Sequence, residues 1–227
     1  MKKLKRIIFL VFSLLYVFSI PIYAQNVIYS SNINAGKRIA LTFDDGPHPK
    51  ITSKVLKILQ KYDVKATFFV IGINAKRYPD DLKQIVLDGH EIGNHTYSHN
   101  ILKSMSKEEI EKEISDTERQ VEEIASYNMS LLRPPCGLYD DTLVDIAREK
   151  GLKIVLWAVD TNDWAHQSTS SITKNVIRNA KNGDIVLFHD YVSGIYNTPE
   201  ALEIIIPALQ KMGYEFVTIS ELLQNAS

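Results

Sequence analysis

The sequence predicts a single-domain α/β protein with a parallel sheet, and two observations support this. Short apolar segments alternate with longer segments of helical periodicity along about 190 residues, an order typical of parallel β/α units. Ionisable side chains come directly after several of the apolar segments, at the strand ends where barrel enzymes place their chemistry. From the order of elements alone, a closed barrel and an open doubly wound sheet are both consistent with the sequence.

Seven apolar segments are predicted to form strands, and helical segments follow them. The predicted strands cover residues 38–43, 66–71, 91–94, 131–133, 153–159, 184–188 and 215–219. The predicted helices cover residues 49–62, 79–87, 106–124, 139–150, 170–181 and 198–212. Ser106 is followed three residues later by Glu109, which is the capping-box pattern that opens a helix.

The first 24 residues have the layout of a secretory signal peptide. Four basic residues precede an apolar run over residues 7–20, and the small residue Ala24 ends the segment. This run of 14 residues is shorter than the roughly 20 needed to span a bilayer. Export is therefore expected, and an uncleaved N-terminal anchor is the alternative. We predict a signal peptide over residues 1–24, a polar connector over residues 25–37 and one folded domain over residues 38–227.

The composition excludes a disordered, collagenous or low-complexity chain and argues against binding to nucleic acids. With 45% hydrophobic and 23% charged residues, the chain is typical of globular proteins, and its single cysteine, Cys136, permits no intrachain disulfide. Without residues 1–24 the chain keeps 22 basic and 27 acidic side chains, a net charge of −5. Such a protein has no general attraction for nucleic acid phosphates. No feature indicates a protein partner, and membrane contact is expected only if the N-terminal segment is not cleaved.

Two motifs place carboxylates and imidazoles after the first and third predicted strands. TFDDGP contains the adjacent residues Asp44 and Asp45, although this motif alone also fits a simple turn. HTYSH contains His95 and His99, whose spacing lets a helical turn or a compact loop bring both to one ion. Zn²⁺ at catalytic sites commonly takes three protein ligands and leaves the fourth position to water. One aspartate with two histidines therefore fits an open catalytic metal site.

Three further motifs follow later strands and are ambiguous on their own. RPPCG, which contains Arg133 and Cys136, indicates a rigid loop with a small buried thiol. DTNDW, which contains Asp163 and Trp164, is typical of a solvated turn. LFH places His189 where a strand leaves the core. Only their combination with the first two motifs indicates a shared site.

In order and spacing, TFDDGP, HTYSH, RPPCG, DTNDW and LFH resemble the five motifs of the polysaccharide deacetylases, carbohydrate esterase family 4, whose domain is also called the NodB-homology domain. The resemblance extends over residues 38–223, essentially the whole predicted domain. It implies a distorted (β/α) barrel with seven or eight strands. It also implies that residues 38–227 are a catalytic domain that hydrolyses N- or O-acetyl groups on a glycan.

The resemblance also implies a metal site and a catalytic base. Asp45, His95 and His99 correspond to the metal ligands of the family, and Asp44 corresponds to its catalytic base. Arg133 corresponds to the arginine that pairs with this base. The expected cofactor is one divalent ion. Zn²⁺ suits the donor set best, and Co²⁺ or Ni²⁺ are alternatives.

On the same grounds, His189 is expected to be the general acid and Asp163 the residue that orients it. Trp164 and Leu187 correspond to the apolar walls around the acetyl methyl group. Cys136 stands where the family often has tyrosine or another large residue, and the family uses the backbone N–H of that residue to bind the oxyanion. The backbone N–H of Cys136 is therefore expected to remain as an oxyanion donor. The shape of the substrate groove beside its small side chain is expected to differ from that in the family.

The resemblance predicts removal of acetyl groups from N-acetylhexosamine residues of a cell-wall polysaccharide, either peptidoglycan or a chitin-like chain. An O-acetyl esterase of the xylan type is a second interpretation, because one site can cleave either bond. A carbohydrate-binding protein without activity is a third, suggested by Trp164 and the acidic, exported character. This third interpretation gives no role to a general acid such as His189.

Overall fold

A computed structural model describes residues 28–191, 194 and 196–224, and the predicted signal peptide lies outside these residues. Nine strands are present in this part of the chain, and all of their pairings are parallel. They are β1 (Ile28–Tyr29), β2 (Arg38–Asp44), β3 (Thr67–Val70), β4 (Glu91–Asn94), β5 (Leu131–Leu132), β6 (Lys153–Val155), β7 (Val159–Asp160), β8 (Ile185–His189) and β9 (Glu215–Phe216).

Eight α-helices occur within the same described ranges. They are α1 (Ile51–Lys61), α2 (Gly72–Arg77), α3 (Pro79–Leu87), α4 (Lys107–Ala125), α5 (Asp141–Glu149), α6 (Thr169–Asn179), α7 (Thr198–Lys211) and α8 (Ile219–Leu223). Two 3₁₀ turns, Pro135–Gly137 and Asp163–Ala165, follow β5 and β7. The predicted capping box is confirmed at the start of α4, where Ser106 and Glu109 each accept a hydrogen bond from the backbone N–H of the other.

The predicted α/β fold is confirmed, and the sheet forms a distorted barrel. Its strands lie in the order β1-β6-β5-β4-β3-β2-β8-β7, with β9 beside the start of β2. Strands β6 and β7 are two halves of one extended segment. This segment pairs with β5 through its first half and with β8 through its second half. It therefore brings the two sides of the sheet together.

With β6 and β7 counted as one strand, the sheet has eight strands, in agreement with the seven or eight expected. Two features distinguish the nine strands from the seven predicted segments. The strand predicted over residues 153–159 is divided into β6 and β7, because the carbonyls of Val155 and Leu156 accept hydrogen bonds from the Arg133 side chain. Strand β1 was not predicted, since it lies in the polar connector, and it pairs with β6. Asn32 in the same connector bonds to the carbonyls of Gly183 and Leu222, so this part of the connector is held against the barrel.

Strand β2 separates the core from the site. Ile39, Leu41 and Phe43 are completely buried in the same apolar cluster as residues of α1 and α7. Burial of each such side chain contributes about 1.5–3 kcal/mol. Side chains alternate along a strand, so Thr42 and Asp44 lie on the opposite face, towards the barrel interior. A single strand thus anchors the helices and presents a carboxylate to the site.

Helix α8 covers the amino-terminal end of the barrel. Ile219 and Leu222 are buried in one cluster with Ala40 of β2, and Glu91 accepts hydrogen bonds from the backbone N–H and the hydroxyl of Ser220. The opposite end of the barrel, where the strands end, is not covered by this helix, and the candidate site lies there.

Within the described residues, no helix combines the length and apolar character needed to cross a bilayer.

Candidate active site

The side chains singled out by the five motifs gather at the carboxyl ends of the strands. Asp44 ends β2 and His189 ends β8, and these two residues are paired in register on neighbouring strands. His95 follows β4, Arg133 follows β5, and Asp163 begins the 3₁₀ turn after β7. The barrel therefore brings residues that are distant in sequence to one end of the molecule.

Asp45, His95 and His99 form a group of converging ligand atoms. Asp45 Oδ1 lies 3.4 Å from His95 Nε2 and 3.2 Å from His99 Nε2, and one ligand atom from each residue lies within 4.8 Å of the others. Asp45 Oδ1 is buried and accepts no hydrogen bond from the described residues. His95 Nδ1 lies 2.7 Å from the Arg133 carbonyl oxygen. Since a carbonyl only accepts, Nδ1 carries a proton, and in the neutral imidazole it is Nε2 that presents its lone pair. The group fits a divalent cation.

The backbone around these residues is strained. Asp45, Thr96 and His99 have φ angles of 76°, 66° and 61°, in the left-handed region. Such residues cost about 1–3 kcal/mol each and cluster at functional sites. Asn74 of α2 donates from Nδ2 to the Asp45 carbonyl at 2.7 Å. The strained aspartate is therefore held from a neighbouring helix.

Asp44 forms a buried ion pair with Arg133. The Nη1 atom of Arg133 donates to Asp44 Oδ1 at 2.7 Å and to Thr42 Oγ1 at 2.8 Å, while the rest of the guanidinium donates to two backbone carbonyls of the β6–β7 segment. Both side chains are almost completely buried, so their charges interact in a medium of low dielectric constant. The second oxygen of Asp44 lies 3.7 Å from His95 Nε2, beside the cation-ligand group.

His189 is paired with Asp163. His189 Nδ1–H donates to Asp163 Oδ1 at 2.8 Å, and the His189 backbone N–H donates to Oδ2 at 2.8 Å. The Thr198 hydroxyl also donates to Oδ2, at 2.7 Å. Burial lowers the pKa of His189, but the hydrogen bond and charge of Asp163, with the charges of Asp44 and Asp45, raise this pKa to about 9. The imidazole of the metal-free protein is therefore protonated at neutral pH.

The replacement Asp163→Asn is expected to lower the pKa of His189 in the metal-free protein from about 9, because it removes the carboxylate that bonds to Nδ1. Burial still opposes the charged imidazole in the variant, and only the charges of Asp44 and Asp45 still favour it. NMR titration of the imidazole signal, assigned with His189→Gln, measures this. In the wild type, the raised pKa stabilises the native state below about pH 6.5, and this contribution is lost as the pH rises through about 9. An unchanged midpoint in Asp163→Asn would refute the assigned cause.

A cavity of about 400 Å³ lies over these groups, within the range typical of small-ligand sites. Its lining residues are Asp44, Asp45, His95, His99, Cys136, Trp157, Asp160, Trp164, Leu187 and His189. Eight of the ten predicted site residues therefore share one cavity. The other two, Arg133 and Asp163, do not line it but bond directly to Asp44 and His189.

Two residues lining the cavity were not predicted. Trp157 was interpreted only as part of a strand, and its position between β6 and β7 turns it towards the cavity. Asp160 opens the DTNDW motif, but the sequence indicated no role for it. Its Oδ1 accepts hydrogen bonds from the Asn162 N–H at 2.8 Å and from Trp164 Nε1–H at 3.3 Å. Asp160 thus holds the turn that carries Trp164.

Asp190, which follows His189, was also missed. Its side chain is completely buried beside Gly46 and accepts a hydrogen bond from the Thr52 hydroxyl. Burial raises the pKa of Asp190 to about 7. A Cβ at position 46 would lie 2.2 Å from Asp190 Oδ2. The glycine of TFDDGP is therefore required by a close approach from β8, which no local pattern could reveal.

Fold and site together define a (β/α)-barrel enzyme with paired acidic and basic groups beside a candidate metal site. The polysaccharide deacetylase family matches residues 31–155. The chain belongs to this family, as the motifs predicted, and it is a polysaccharide deacetylase. The interpretation as a carbohydrate-binding protein without activity is therefore not retained.

The chain is similar to several characterised proteins. A peptidoglycan-N-acetylglucosamine deacetylase of Bacillus cereus is 45% identical over 193 residues, covering 84% of this chain and 90% of that protein. A crystal structure of a peptidoglycan N-acetylglucosamine deacetylase superposes with a TM-score of 0.84 at 38% identity, covering 87% of this chain and 92% of the other. A family 4 acetyl xylan esterase from Clostridium thermocellum, in complex with a cobalt ion, has a TM-score of 0.77 at 38% identity and covers 82% and 90%.

Proposed function

We propose that this chain is an exported, metal-dependent deacetylase that removes acetyl groups from N-acetylhexosamine residues of peptidoglycan. One observation carries the proposal: the Asp44–Arg133 and His189–Asp163 pairs lie on neighbouring strand ends beside one cation-ligand group. Amide hydrolysis requires that water lose a proton and that the departing amine gain one. The two pairs supply a carboxylate and a protonated imidazole for these transfers.

Asp44 is the proposed general base. Its carboxylate takes a proton from the water whose oxygen attacks the carbonyl carbon of the acetyl group. Arg133 compensates the buried charge and fixes the carboxylate through Oδ1 at 2.7 Å, as charge-assisted hydrogen bonds do. The other oxygen, Oδ2, then stays beside the cation-ligand group, where the water is to be activated.

His189 is the proposed general acid. As the bond between the carbonyl carbon and the sugar nitrogen breaks, the nitrogen takes the Nε2 proton of His189 and leaves as a neutral amine. Asp163 bonds to Nδ1, so it directs Nε2 to the cavity and favours the charged imidazole. Such proton transfers typically contribute about 10²- to 10⁴-fold to the rate.

Asp45, His95 and His99 are the proposed ligands of the metal. A divalent cation bound there would polarise the acetyl carbonyl and would lower the pKa of a water bound to it from 15.7 towards about 7. Two imidazole nitrogens and one carboxylate suit Zn²⁺ best, and Co²⁺ and Ni²⁺ accept the same donors. The cobalt ion in the related acetyl xylan esterase structure supports a site of this kind.

The cavity walls suit an acetyl group. Trp157, Trp164 and Leu187 supply apolar surface for the methyl group, and the backbone N–H of Cys136 is the proposed donor to the oxyanion. Cys136 has φ = 58° within the 3₁₀ turn after β5. Its side chain is exposed, so the prediction of a small buried thiol was wrong: the turn directs this side chain outwards. A small thiol at this position leaves the groove wider than a tyrosine would.

The similar proteins and the N-terminal segment support the substrate and the location. Relatives named as peptidoglycan deacetylases match most of the chain at 40–45% identity. The layout of residues 1–24 is that of a signal peptide, and peptidoglycan lies outside the membrane across which such a segment directs a protein. Hydrolysis of O-acetyl esters is the second candidate, because the similar structure from Clostridium thermocellum is an acetyl xylan esterase.

Acetate release from purified peptidoglycan and from acetylated xylan tests both candidates. Peptidoglycan is expected to be the better substrate, and treatment with a chelator is expected to abolish release until Zn²⁺ is added back, because the proposed hydrolysis depends on a cation at the Asp-His-His group. Release from acetylated xylan alone would favour the esterase. Full activity towards peptidoglycan after complete metal removal would refute the proposed metal dependence.

A further inference from the structure

We propose that Glu113, on helix α4, is a positioning residue that sets the geometry of the two histidine ligands. This inference rests on the cation site of the proposed function. Glu113 does not line the cavity. Its Oε2 atom accepts hydrogen bonds from the backbone N–H groups of Tyr97 and Ser98 at 2.9 and 2.8 Å, and its Oε1 accepts from the Ser98 hydroxyl at 2.6 Å. Tyr97 and Ser98 lie between His95 and His99.

The loop that joins the two histidines has a strained backbone conformation, which depends on contacts with neighbouring elements. Thr96 and His99 are both left-handed, a region that residues with a Cβ adopt only when their surroundings impose it. Local bonds hold its ends: the Thr96 N–H donates to Asn94 Oδ1 at 2.8 Å and the His99 N–H to Thr96 Oγ1 at 3.1 Å. The two N–H groups in the middle are those that bond to Glu113.

Helix α2 holds the same loop through its carbonyls. The N–H groups of Gly72 and Ile73 donate to the carbonyls of Thr96 and Tyr97, each at 3.0 Å. A Cβ at position 72 would lie 2.4 Å from the Tyr97 ring, so the approach requires glycine. The loop is therefore fixed between α2, which binds its carbonyls, and Glu113, which binds its amides. With both in place, His95 Nε2 and His99 Nε2 point to the same oxygen of Asp45.

The hydrogen bonds of Glu113 suggest a matched pair of variants. In Glu113→Gln, the amide oxygen can accept from both N–H groups and the amide nitrogen can donate to the Ser98 hydroxyl, so every contact can be kept. In Glu113→Ala, both N–H groups lose their acceptor and the loop can relax. Glu111→Ala is a control on the same helix, since the Glu111 side chain is partly exposed and lies 3.7 Å from Lys107 on the surface.

The experiment measures the affinity of the metal-free proteins for Zn²⁺ by competition with a chromophoric chelator, and the visible spectrum of the Co²⁺ forms. Glu113→Ala is expected to bind Zn²⁺ about 10- to 100-fold more weakly, as is typical when a group that orients metal ligands is lost. Its Co²⁺ bands should change in position or intensity even at saturation. Glu113→Gln and Glu111→Ala are expected to match the wild type in both measurements.

Equal Zn²⁺ affinity in the wild type and Glu113→Ala would overturn this inference alone. So would a loss in Glu113→Gln as large as that in Glu113→Ala, if both have the circular dichroism spectrum of the wild type. A wild-type protein that binds no Zn²⁺ would instead overturn the proposed metal site. If Glu113→Ala does not fold, Glu113→Asp replaces it. Its shorter carboxylate should also weaken Zn²⁺ binding, and wild-type affinity would contradict the proposal.

Discussion

The replacement Asp44→Asn is expected to reduce the turnover number for acetate release by about 10²- to 10⁴-fold while leaving Zn²⁺ affinity close to that of the wild type. The asparagine is nearly the same size, and its carbonyl can still accept from Arg133 Nη1, but it cannot take a proton from water. Asp44 is also not a member of the converging group that Asp45 forms with the two histidines. Turnover and metal titration, measured on the same preparation, separate the two effects.

Asp160→Asn is the matched control for this prediction. Asp160 lines the same cavity, and an asparagine at this position keeps the oxygen that accepts from Asn162 and Trp164. The loss of turnover should therefore be much smaller than in Asp44→Asn. Turnover of Asp44→Asn within tenfold of the wild type, below the contribution of about 10²-fold typical of a general base, would exclude Asp44 as the base.

Arg133→Met is expected to lower the free energy of unfolding by about 3–5 kcal/mol, the usual effect of removing one partner of a buried ion pair. The Arg133 side chain is completely buried and that of Asp44 is 4% exposed, so the carboxylate would remain without a counter-charge. Thr42 Oγ1 and two backbone carbonyls would also lose a donor. Urea unfolding of the metal-free protein measures the change.

The surface pair of Arg119 and Asp116 provides the comparison. The Arg119 side chain is 65% exposed, so Arg119→Met should change stability by less than about 1 kcal/mol. The double variant Asp44→Asn/Arg133→Met should be less destabilised than Arg133→Met alone, because it contains no unpaired buried charge. If the double variant is destabilised by the sum of the two single changes, the two side chains are not energetically coupled and the predicted cause is wrong.

Local sequence patterns predicted most of the elements. The alternation of apolar segments with helical periodicity indicated seven strands, and each has a counterpart in the structure, because burial of one face imposes a period that can be read directly. The elements that were missed are short. Strand β1 has two residues, and helices α2 and α8 have six and five, too few to show a period. They form because the barrel supplies partners for them.

In the candidate site, too, local patterns revealed some residues, while others are recognised only from their tertiary contacts. The five motifs, together with a family resemblance, named eight of the ten residues that line the cavity, because Asp, His and Arg directly after apolar strands are conspicuous. Trp157 was hidden within a predicted strand, and Asp190 was hidden because nothing local shows that it packs against Gly46. Glu113 lies in a charged helix whose other acidic residues resemble it, and only its contacts with Tyr97 and Ser98 distinguish it.

By itself, the sequence determined the α/β class and the identity of the ionisable groups, since these depend on composition and on spacings of a few residues. Only the tertiary structure decided which groups are paired, which carboxylate is bound to Arg133 and which is left for a cation. The tertiary structure also decided that one predicted strand is divided into β6 and β7, where backbone carbonyls accept hydrogen bonds from the Arg133 side chain. The physical reason is distance along the chain: hydrogen bonds and charge pairs at this site join residues tens of positions apart, and only the curled sheet brings them within contact.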